Sequence, residues 1–463
     1  MFIGRTKELS FLEAAYLRKE SAFIPIYGRR RVGKSELILK FIDNKPSVYY
    51  LGKVAPRSLQ IKEFLKETAH ALNEPLMHSL STDNWSDVFS ALTSKTQSKA
   101  KVIIALDEFQ WLVQTSPELP SVIQEYWDRY WKKKGNIIVI LCGSLIGFME
   151  RNVLGSKSPL FGRRTAQIFL QPFSYLDSAK FHPNWSLQNC AKTHFICGGI
   201  PLYLNFFNQQ QSVEQNIETV ILDEFGPLFR EPDFLIREEL REIEKYYAIL
   251  MAIALGYSKN KAIAAQTGLP EKNLHYYIQQ LIQLGYISKR FPLTEFKRNR
   301  VQVRYVLHDA FLRFWFRFIF PNQSFIQQMG PKRAIEERIK SELDSYFGTC
   351  FEKMCKEALP GIYEKECVHA EFEIGEYWDK KVQIDVVGIR QDAWTDICEC
   401  KWGTIKSIPA IRKLMKEKIE SFPNKRNATI QPRVFVRKKT AAMKNDMSTI
   451  KWFDLSDLYE LSN

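Results

Sequence analysis

The stretch Gly28–Ser35 reads GRRRVGKS, and its spacing decides the fold of the first third of the chain. Two glycines with four residues between them, followed by Lys-Ser, form the phosphate-binding loop pattern G-x-x-x-x-G-K-[ST]. Glycine lets backbone N–H groups approach a phosphate chain closely. We expect Lys34 to contact the β- and γ-phosphates and the Ser35 hydroxyl to bind Mg²⁺, which predicts binding of a nucleoside triphosphate.

The sequence on both sides of this loop supports the pattern. Phe23–Tyr27 is a short apolar run that predicts a strand, and Ser35–Phe41 predicts a helix whose N-terminus faces the anion. The alternative is a chance glycine-rich turn, which the flanking strand and helix disfavour. The residues expected to line the phosphates are Gly28, Arg29, Arg30, Arg31, Val32, Gly33, Lys34, Ser35 and Glu36.

The second half of such a site is a strand that ends in acids. Lys101–Leu106 is an apolar run followed by Asp107 and Glu108. We expect Asp107 to hold the Mg²⁺ through water and Glu108 to polarise the attacking water. Many strands end in acidic turns, but this one comes about seventy residues after the loop, where one or two βα units fit.

A third predicted strand, Asn136–Cys142, ends at Gly143-Ser144. The Ser144 hydroxyl can sense the γ-phosphate beside the two acids, which makes Ser144 a candidate nucleotide-binding residue. It can equally be an ordinary helix N-cap, because serine is among the preferred residues there.

Composition limits the classes of protein that remain. The chain has 463 residues, 45% of them hydrophobic, and eight cysteines without the spacing of a metal site. Its length predicts roughly two to four domains. Because the cysteines lack the spacing of a metal site, we expect them to be reduced thiols in a cytoplasm. No apolar run approaches the ~18 residues of a membrane span, so we expect no membrane partner. The net charge of +14 favours an anionic partner such as nucleic acid, although surface lysines alone produce such a surplus.

Residues 258–307 differ in pattern from the helical stretch before them. Helices predicted at Lys259–Gln266 and Glu271–Leu284 precede two predicted strands, Tyr286–Arg290 and Val301–Leu307. That order predicts a winged helix-turn-helix. Helix and wing can contact DNA, or the same elements can serve only as an intramolecular packing module. The basic residues of the loop between the strands are Lys297, Arg298 and Arg300.

Two acids and a lysine lie on predicted strands near the C-terminus. Gln383–Gly388 carries Asp385, and Ile397–Lys401 carries Glu399 on the same face as Lys401. A hairpin can bring Asp385 beside Glu399, where two carboxylates hold a divalent metal such as Mg²⁺. Lys401 would then orient the water or stabilise the transition state at a scissile phosphate. The alternative is a structural Glu–Lys pair on an edge strand.

Three short motifs in the first half resemble the archaeal-type ATPase family, in the signal-transducing (STAND) branch of the AAA+ superfamily. Phe2–Arg5 resembles the box that lies over the adenine, Leu160–Thr165 the arginine motif, and Gly199–Pro201 the G-x-P of the lid helices.

This resemblance assigns further residues to the ATP site. It implies that Arg163 and Arg164 lie near the γ-phosphate and that Pro201 lines the nucleotide. The alternative for the two arginines is a surface pair at the start of a strand.

The whole chain is similar to the subgroup that joins an ATPase, a winged helix and a restriction-endonuclease-like PD-(D/E)xK domain. In that fold a helix acid, a strand acid and E-x-K form the site. Glu352, on an amphipathic helix at about 335–358, matches the helix acid, and Asp385, Glu399 and Lys401 match the others. The chain departs from the strictest motif because Ile384 stands where proline is expected.

The resemblance implies an α/β multidomain protein. Its expected parts are a P-loop AAA+ core at 1–175, a helical lid at 176–240, a winged helix-turn-helix at 241–320, and an α/β nuclease-like domain at 335–463. The function implied is an ATPase whose nucleotide state regulates a Mg²⁺-dependent DNA nuclease. The alternative is a non-cleaving nucleotide switch that binds DNA or a protein partner. A homo-oligomer is a further possibility that the sequence leaves open.

Overall fold

The computed structural model describes residues 2–96, 101–294, 297–298 and 302–462, with only the backbone of Lys297, Arg298 and Ser462. The chain divides into two compact units, Met1–Phe173 with Ile200–Leu202, and Ser174–Gly199 with Tyr203–Asn463. The four-part division expected from the sequence stays a prediction. Within the described residues, no helix is both long and apolar enough to cross a membrane.

The first unit is built on a parallel sheet of five strands in the order β2-β3-β4-β1-β5. β1, β3 and β4 are buried along their whole length. This explains why their sequences are continuous apolar runs, as in sheets covered on both faces. The strands predicted at 23–27, 101–106 and 136–142 are therefore confirmed. The bounds are β1 (Ala22–Tyr27), β2 (Ser47–Leu51), β3 (Val102–Asp107), β4 (Ile137–Gly143) and β5 (Ile168–Phe169).

Helices connect these strands. The helix predicted after the phosphate-binding loop spans Lys34–Ile42. Parallel order brings the carboxyl ends of β1, β3 and β4 to one edge of the sheet, where ligands bind in open α/β sheets. The other helices described in this unit are Thr6–Leu17, Arg57–Ala71, Trp85–Lys95, Phe109–Thr115, Leu119–Tyr126, Lys132–Lys134 and Ile146–Met149, with π-helical turns at Trp127–Trp131 and Glu150–Leu154.

The second unit begins with helices. They span Tyr175–Ala179, Leu187–Cys197, Val213–Asn216, Glu231–Glu239, Ile243–Ala254, Asn260–Thr267 and Glu271–Gln283, with a π-helical segment at Ile217–Leu222. The helix Pro201–Phe206 begins in the first unit and ends in the second.

Two small antiparallel sheets follow these helices. β6 (Ile287–Arg290) pairs with β9 (Arg304–Leu307), and β7 (Leu293–Thr294) pairs with β8 (Lys297–Arg298). The predicted helices and strands of this region are present, and their assignment as a winged helix-turn-helix stays a prediction. Of the predicted basic loop, Arg300 and the side chains of Lys297 and Arg298 lie outside the described residues.

A second run of helices leads to the C-terminal sheet. They span Ala310–Phe314, Gln323–Met329, Pro331–Ala334 and Lys340–Lys365, with π-helical turns at Trp315–Ile319 and Ile335–Ile339. The later helices are Ile408–Ser421, Ala441–Lys444 and Leu455–Tyr459.

The C-terminal sheet has five strands in sequential order. They are β10 (Phe372–Trp378), β11 (Gln383–Arg390), β12 (Trp394–Lys401), β13 (Thr429–Val436) and β14 (Lys451–Phe453). β10, β11 and β12 pair antiparallel, whereas β12, β13 and β14 pair parallel. The parallel step from β12 to β13 requires a crossover, which the helix Ile408–Ser421 supplies.

A buried ion pair fixes β12 against β13. The Arg433 side chain is fully buried, and its Nε donates to Asp396 Oδ1 at 2.5 Å. Tyr363 donates its hydroxyl to the other Asp396 oxygen at 2.6 Å, and Glu366 accepts two further bonds from Arg433. Because side chains alternate along a strand, Asp396 and Glu399 face opposite sides of the sheet. This network therefore stabilises the pairing of β12 with β13 from the face of the sheet opposite to Glu399.

Candidate functional site

The two loop glycines occupy positions that other residues cannot fill without strain. Gly28 has a φ of 155°, and a Cβ there would lie 2.3 Å from the carbonyl oxygen of Leu170. Gly33 has a φ of 85° and precedes the first residue of the helix Lys34–Ile42. At Gly28 the backbone therefore approaches its neighbour more closely than a side chain would allow, and at Gly33 the left-handed conformation itself favours glycine.

The Lys34 side chain folds back over the loop. Its Nζ donates to the carbonyl oxygens of Gly28 at 3.0 Å and Arg29 at 2.8 Å. Burial lowers the pKa of this lysine, partly offset by the nearby Glu108 and Asp107 carboxylates. A buried ammonium ringed by carbonyls marks the position where a phosphate chain would be held.

The rest of the loop divides into a buried and an accessible part. Val32 is fully buried, and its carbonyl oxygen accepts from an Arg5 NH2 at 2.9 Å. The same Arg5 nitrogen donates to the carbonyl oxygen of Gln171 at 2.7 Å, so Arg5 ties the loop to the segment after β5. The accessible residues are the half-buried Arg29, Arg30 and Arg31 and the exposed Glu36.

The predicted magnesium residues are in direct contact. Ser35 Oγ donates to Asp107 Oδ2 at 2.5 Å, and Asp107 is completely buried at the end of β3. Asp107 Oδ1 accepts from the backbone N–H of Glu108 at 2.8 Å. A hydroxyl and a carboxylate this close fit a Mg²⁺ ion, which prefers oxygen ligands and keeps part of its water shell.

Tyr49 is a member of this cluster that sequence reasoning missed. Its hydroxyl donates to Asp107 Oδ2 at 2.8 Å from the neighbouring strand β2. Burial, reinforced by Asp107, raises the pKa of this phenol, so Tyr49 stays a hydrogen-bond donor. No motif marks Tyr49, and only the strand order β2-β3 brings it to the site.

Glu108 is held beside Ser144. Ser144 Oγ donates to Glu108 Oε2 at 2.7 Å, and Gln110 Nε2 donates to the same oxygen. The N-cap of the helix Ile146–Met149 is Leu145, with no side-chain capping bond. The structure therefore contradicts the N-cap interpretation of Ser144 and gives that residue a bond to the candidate general base. Gln110 is a second residue that the sequence did not indicate.

The two predicted arginines differ in their surroundings. Arg163 makes a bidentate pair with Asp128, with its Nε 3.0 Å and its NH2 2.8 Å from Oδ2. Arg164 is exposed, and its NH1 contacts the carbonyl oxygen of Leu154 at 3.4 Å. Arg163 is thus held in an ion pair with Asp128, and the roles of both arginines at the γ-phosphate stay predictions, with Arg164 as the candidate that makes no such pair within the part of the chain that the structure describes.

This contrast gives a paired prediction. Arg164→Ala should slow ATP hydrolysis at least ~10-fold and leave ADP affinity unchanged, because ADP lacks the phosphate that the arginine would meet. Arg163→Ala should lower the melting temperature by removing the bond to Asp128, with a smaller effect on turnover. Phosphate release and calorimetry with ADP test this pair. Equal rate losses in both variants would contradict the assignment to Arg164.

Pro201 lies next to the loop. Its Cγ is 3.8 Å from the position that a Cβ on Gly33 would occupy. Pro201 is the first residue of the helix Pro201–Phe206, and Ile200–Leu202 belongs to the same compact unit as the loop. The residue expected to line the nucleotide is therefore beside the turn that precedes Lys34.

The C-terminal acids are brought together as the spacing predicts. β11 and β12 pair antiparallel with Val386 opposite Cys398, so the next step along the register puts Asp385 opposite Glu399. The backbone N–H of Cys400 donates to Asp385 Oδ2 at 2.8 Å. Burial, and next the charge of Glu399, raises the pKa of Asp385 to about 6.

Two lysines face these acids, and the sequence indicated only one. Lys401 Nζ lies 2.5 Å from Glu399 Oε1, as expected for neighbours on one face of a strand. Lys418 Nζ pairs with Glu399 Oε2 and lies 3.9 Å from Asp385 Oδ1. The sequence contains an indication of this second lysine, because Lys418 follows Ile411 and Met415 on the same face of its helix, and that face is buried. A lysine on a buried helical face indicates a buried acid partner.

Glu352 projects toward the same region from the helix Lys340–Lys365. Burial, followed by the charges of Asp385 and Glu376, raises its pKa to about 8, while Arg290 opposes the shift. Among the described side chains, no three His, Cys, Asp or Glu residues form a group that could hold a metal. The predicted metal residues Glu352, Asp385 and Glu399 thus include one close pair, Asp385 and Glu399.

Side chains of β6, β7 and β9 pack against the C-terminal sheet. Arg290 NH1 lies 2.8 Å from Glu376 Oε2 on β10, with both side chains largely buried. The Arg304 guanidinium lies 4.5 Å from the centre of the Trp378 ring. Leu293 belongs to the hydrophobic core of the C-terminal sheet. These contacts are what the intramolecular packing alternative predicts for this region. The hypothesis of DNA contact concerns the basic loop with Lys297, Arg298 and Arg300 and stays a prediction.

Two family models match the chain. The model described as an ATPase domain predominantly from Archaea matches residues 2–204. The model described as archaea bacterial proteins of unknown function matches residues 315–414, which include Glu352, Asp385, Glu399 and Lys401.

The chain is also similar to individual proteins. An uncharacterized protein of Methanocaldococcus jannaschii is 32% identical over 408 residues, which is 88% of this chain and 88% of that protein. An uncharacterized ATP-binding protein of the same organism is 51% identical over 45 residues, 10% of this chain and 76% of its own length. The structure of a Walker-type ATPase of Pyrococcus abyssi covers 68% of this chain and 96% of its own, with a TM-score of 0.53 and 20% identity. That last likeness shows a shared fold.

Proposed function

Because the chain belongs to the same family as this Methanocaldococcus jannaschii relative and its residues 2–204 match the archaeal ATPase domain, we propose which residues hydrolyse ATP and what that hydrolysis controls. ATP binds at the loop Gly28–Ser35, Glu108 acts as general base, and the nucleotide state regulates a metal-dependent DNA nuclease site at Asp385, Glu399 and Lys401. The ATPase domain is known from the family model, and the residue roles and the second activity are the proposal.

In the proposed hydrolysis Mg²⁺, Glu108 and Lys34 have separate roles. Mg²⁺, when bound, neutralises charge on the β- and γ-phosphates. Ser35 and Asp107 are the residues that would hold it, and Tyr49 keeps Asp107 in place by its hydrogen bond. Glu108 accepts the proton of the attacking water, with Ser144 orienting its carboxylate. Lys34 moves from the loop carbonyls onto the phosphates.

The proposed nuclease site depends on the pair Asp385 and Glu399. Two carboxylates on adjacent strands suit a hard divalent cation, and a bound Mg²⁺ or Mn²⁺ would supply Lewis acidity and a hydroxide nucleophile. Lys401 would stabilise charge on the phosphate in the transition state. Between residues 401 and 451 the sequence has fourteen lysines and arginines against three acids, which favours an anionic substrate such as DNA.

Regulation is supported by one contact within the second unit, and this observation carries the proposal. The Phe195 ring packs edge-on against the Trp402 ring, with centroids 5.4 Å apart. Trp402 directly follows Lys401, and Phe195 lies on the helix Leu187–Cys197, which the chain leaves just before Pro201. A shift of this helix with nucleotide state would therefore reach the residue next to the proposed catalytic lysine.

A plasmid-nicking assay tests the proposal. Wild-type protein should nick supercoiled DNA with Mg²⁺ or Mn²⁺, and the rate should differ between samples with ATP, with ADP and without nucleotide. Asp385→Ala is the control for a contaminating nuclease, and Lys34→Ala is the control for nucleotide dependence. Absence of nicking in every nucleotide state would exclude the nuclease.

The coupling has its own test. Trp402→Ala should retain nicking but lose most of its dependence on nucleotide, because the contact with Phe195 is gone. Trp394→Ala, at the exposed start of β12, which ends just before Trp402, is the matched control and should keep that dependence. Melting curves separate loss of coupling from unfolding. A Trp402→Ala protein that folds and still responds to nucleotide like wild type would contradict the route through this ring.

A second candidate function is a nucleotide switch that binds DNA or a protein without cutting. Two observations favour it: Lys418 lies between the acids, and Arg290 of β6 pairs with Glu376 of β10. In this case the nicking assay is negative in every nucleotide state. A gel shift with the same plasmid then shows binding, and its nucleotide dependence identifies the switch.

A further inference from the structure

Lys418 is the more deeply buried of the two lysines at the C-terminal acidic site. Its side chain is only 10% exposed, because Lys418 lies on the buried face of the amphipathic helix Ile408–Ser421. Burial of an ammonium is costly unless an acid compensates it. Lys418 has two acids, because Nζ pairs with Glu399 Oε2 and lies 3.9 Å from Asp385 Oδ1.

Each of the four oxygens of these acids faces a donor. Glu399 Oε1 faces Lys401 at 2.5 Å, and Glu399 Oε2 faces Lys418. Asp385 Oδ2 accepts from the N–H of Cys400, and Asp385 Oδ1 faces Lys418. The donor set suits a divalent cation, but the ammonium of Lys418 already lies between the two carboxylates. A metal ion that bridges them must displace it.

We propose that Lys418 is a tethered cation that closes the acidic pair against divalent metals until it is displaced. This inference rests on the proposed metal site and adds the way in which the site is controlled. The ammonium leaves when its helix shifts or when a phosphate of the substrate attracts it. The metal then takes the position between Asp385 and Glu399, and Lys418 becomes a cation available to the substrate.

Mn²⁺ titration of two lysine variants tests the proposal in the full chain. Lys418→Met removes the competing charge, so Mn²⁺ should bind ~10- to 100-fold more tightly than in wild type. Without metal, the same variant should melt at a lower temperature, because two buried acids lose their cation. Lys416→Met is the matched control, because Lys416 lies on the same helix with its side chain 78% exposed. It should change neither quantity.

The outcomes separate the two proposals. If Lys418→Met binds Mn²⁺ no more tightly than wild type, the tethered-cation proposal is wrong and the metal site survives. If neither wild type nor Lys418→Met binds Mn²⁺, or if Asp385→Ala binds it as well as they do, the metal site itself is wrong.

A measurement on wild-type protein covers the case in which Lys418→Met does not fold. Acetylation of lysines, quantified by mass spectrometry, reports the accessibility of each ammonium. Labelling of Lys418 should rise several-fold when Mn²⁺ is added, while Lys416 stays constant as an internal reference. Unchanged labelling of Lys418 at Mn²⁺ concentrations that raise the melting temperature would overturn the proposal.

Discussion

Replacing Glu108 with glutamine should leave ATP affinity unchanged and lower the turnover number by ~10²–10⁴-fold, the usual contribution of a general base. Glutamine keeps the shape and still bonds with Ser144, but it cannot accept a proton from water. The carboxylate is already oriented, since Ser144 Oγ lies 2.7 Å from Glu108 Oε2. Phosphate release under saturating ATP measures the rate, and calorimetry measures the affinity.

Lys34→Ala is the complementary variant. It removes the side chain whose ammonium binds the Gly28 and Arg29 carbonyls, so ATP binding itself should be lost. Undiminished affinity in Lys34→Ala would contradict the nucleotide site as a whole. Normal turnover in Glu108→Gln would leave the site in place and transfer the role of base to another group.

The parts of this site that the sequence predicted are those encoded over short distances. The loop Gly28–Ser35 is defined by local backbone requirements, which the 155° φ of Gly28 illustrates. The strands β1, β3 and β4 are buried on both faces, and their composition alone indicates this. Parallel order then brings Asp107 and Ser35 together.

The parts that could not be predicted depend on pairings between distant segments. Tyr49 reaches Asp107 because β2 happens to be the neighbour of β3, and sequence periodicity carries no strand order. The sequence does not distinguish Arg163 from Arg164, because Asp128, which binds Arg163, lies thirty-five residues away along the chain. The contact between Phe195 and Trp402 joins segments about two hundred residues apart, and long-range packing of this kind leaves no local pattern.

The C-terminal site shows both cases in one place. Alternation along β12 and a possible hairpin were enough to bring Asp385, Glu399 and Lys401 together. Lys418 comes from a crossover helix, and its partner could be inferred only once the helix face was known to be buried. Lys418 changes the expected behaviour of the site, because its ammonium supplies a cation to the two acids in the absence of metal.

Without nucleotide, Asp385→Ala should abolish the stabilisation of the protein by Mn²⁺ or Mg²⁺ at the C-terminal site, and with it all nicking activity. Wild-type protein should gain about 2–3 kcal/mol of unfolding free energy when free metal reaches ~100 times its dissociation constant. The variant keeps Glu399 but loses one of the two carboxylates that bridge the ion. Melting curves with and without metal measure the gain. A metal response that survives in Asp385→Ala would rule out this pair as the site.

Lys401→Ala separates a catalytic lysine from a structural one. A lysine that acts on the transition state can be removed without loss of the metal response, so this variant should keep the stabilisation by Mn²⁺ and lose cleavage. A structural Glu399–Lys401 pair predicts the reverse: no metal response and a lower melting temperature. The two interpretations therefore differ in sign for the same measurement.

Without metal, the difference in stability between wild type and Asp385→Asn should also depend on pH, and its direction follows from the pKa of Asp385. The pKa of Asp385 rises from 3.8 to about 6 in the folded protein, chiefly through burial. Wild type therefore loses stability as the pH rises from about 4 to about 6, because the unfolded chain ionises first. Asp385→Asn lacks this loss and keeps an oxygen for the N–H of Cys400, so it should become more stable than wild type across that window, by on the order of 1–3 kcal/mol. Urea unfolding at pH 4 and pH 7 without metal measures the difference, and a difference that does not grow with pH would mean that Lys418 and Lys401 already neutralise Asp385 in full.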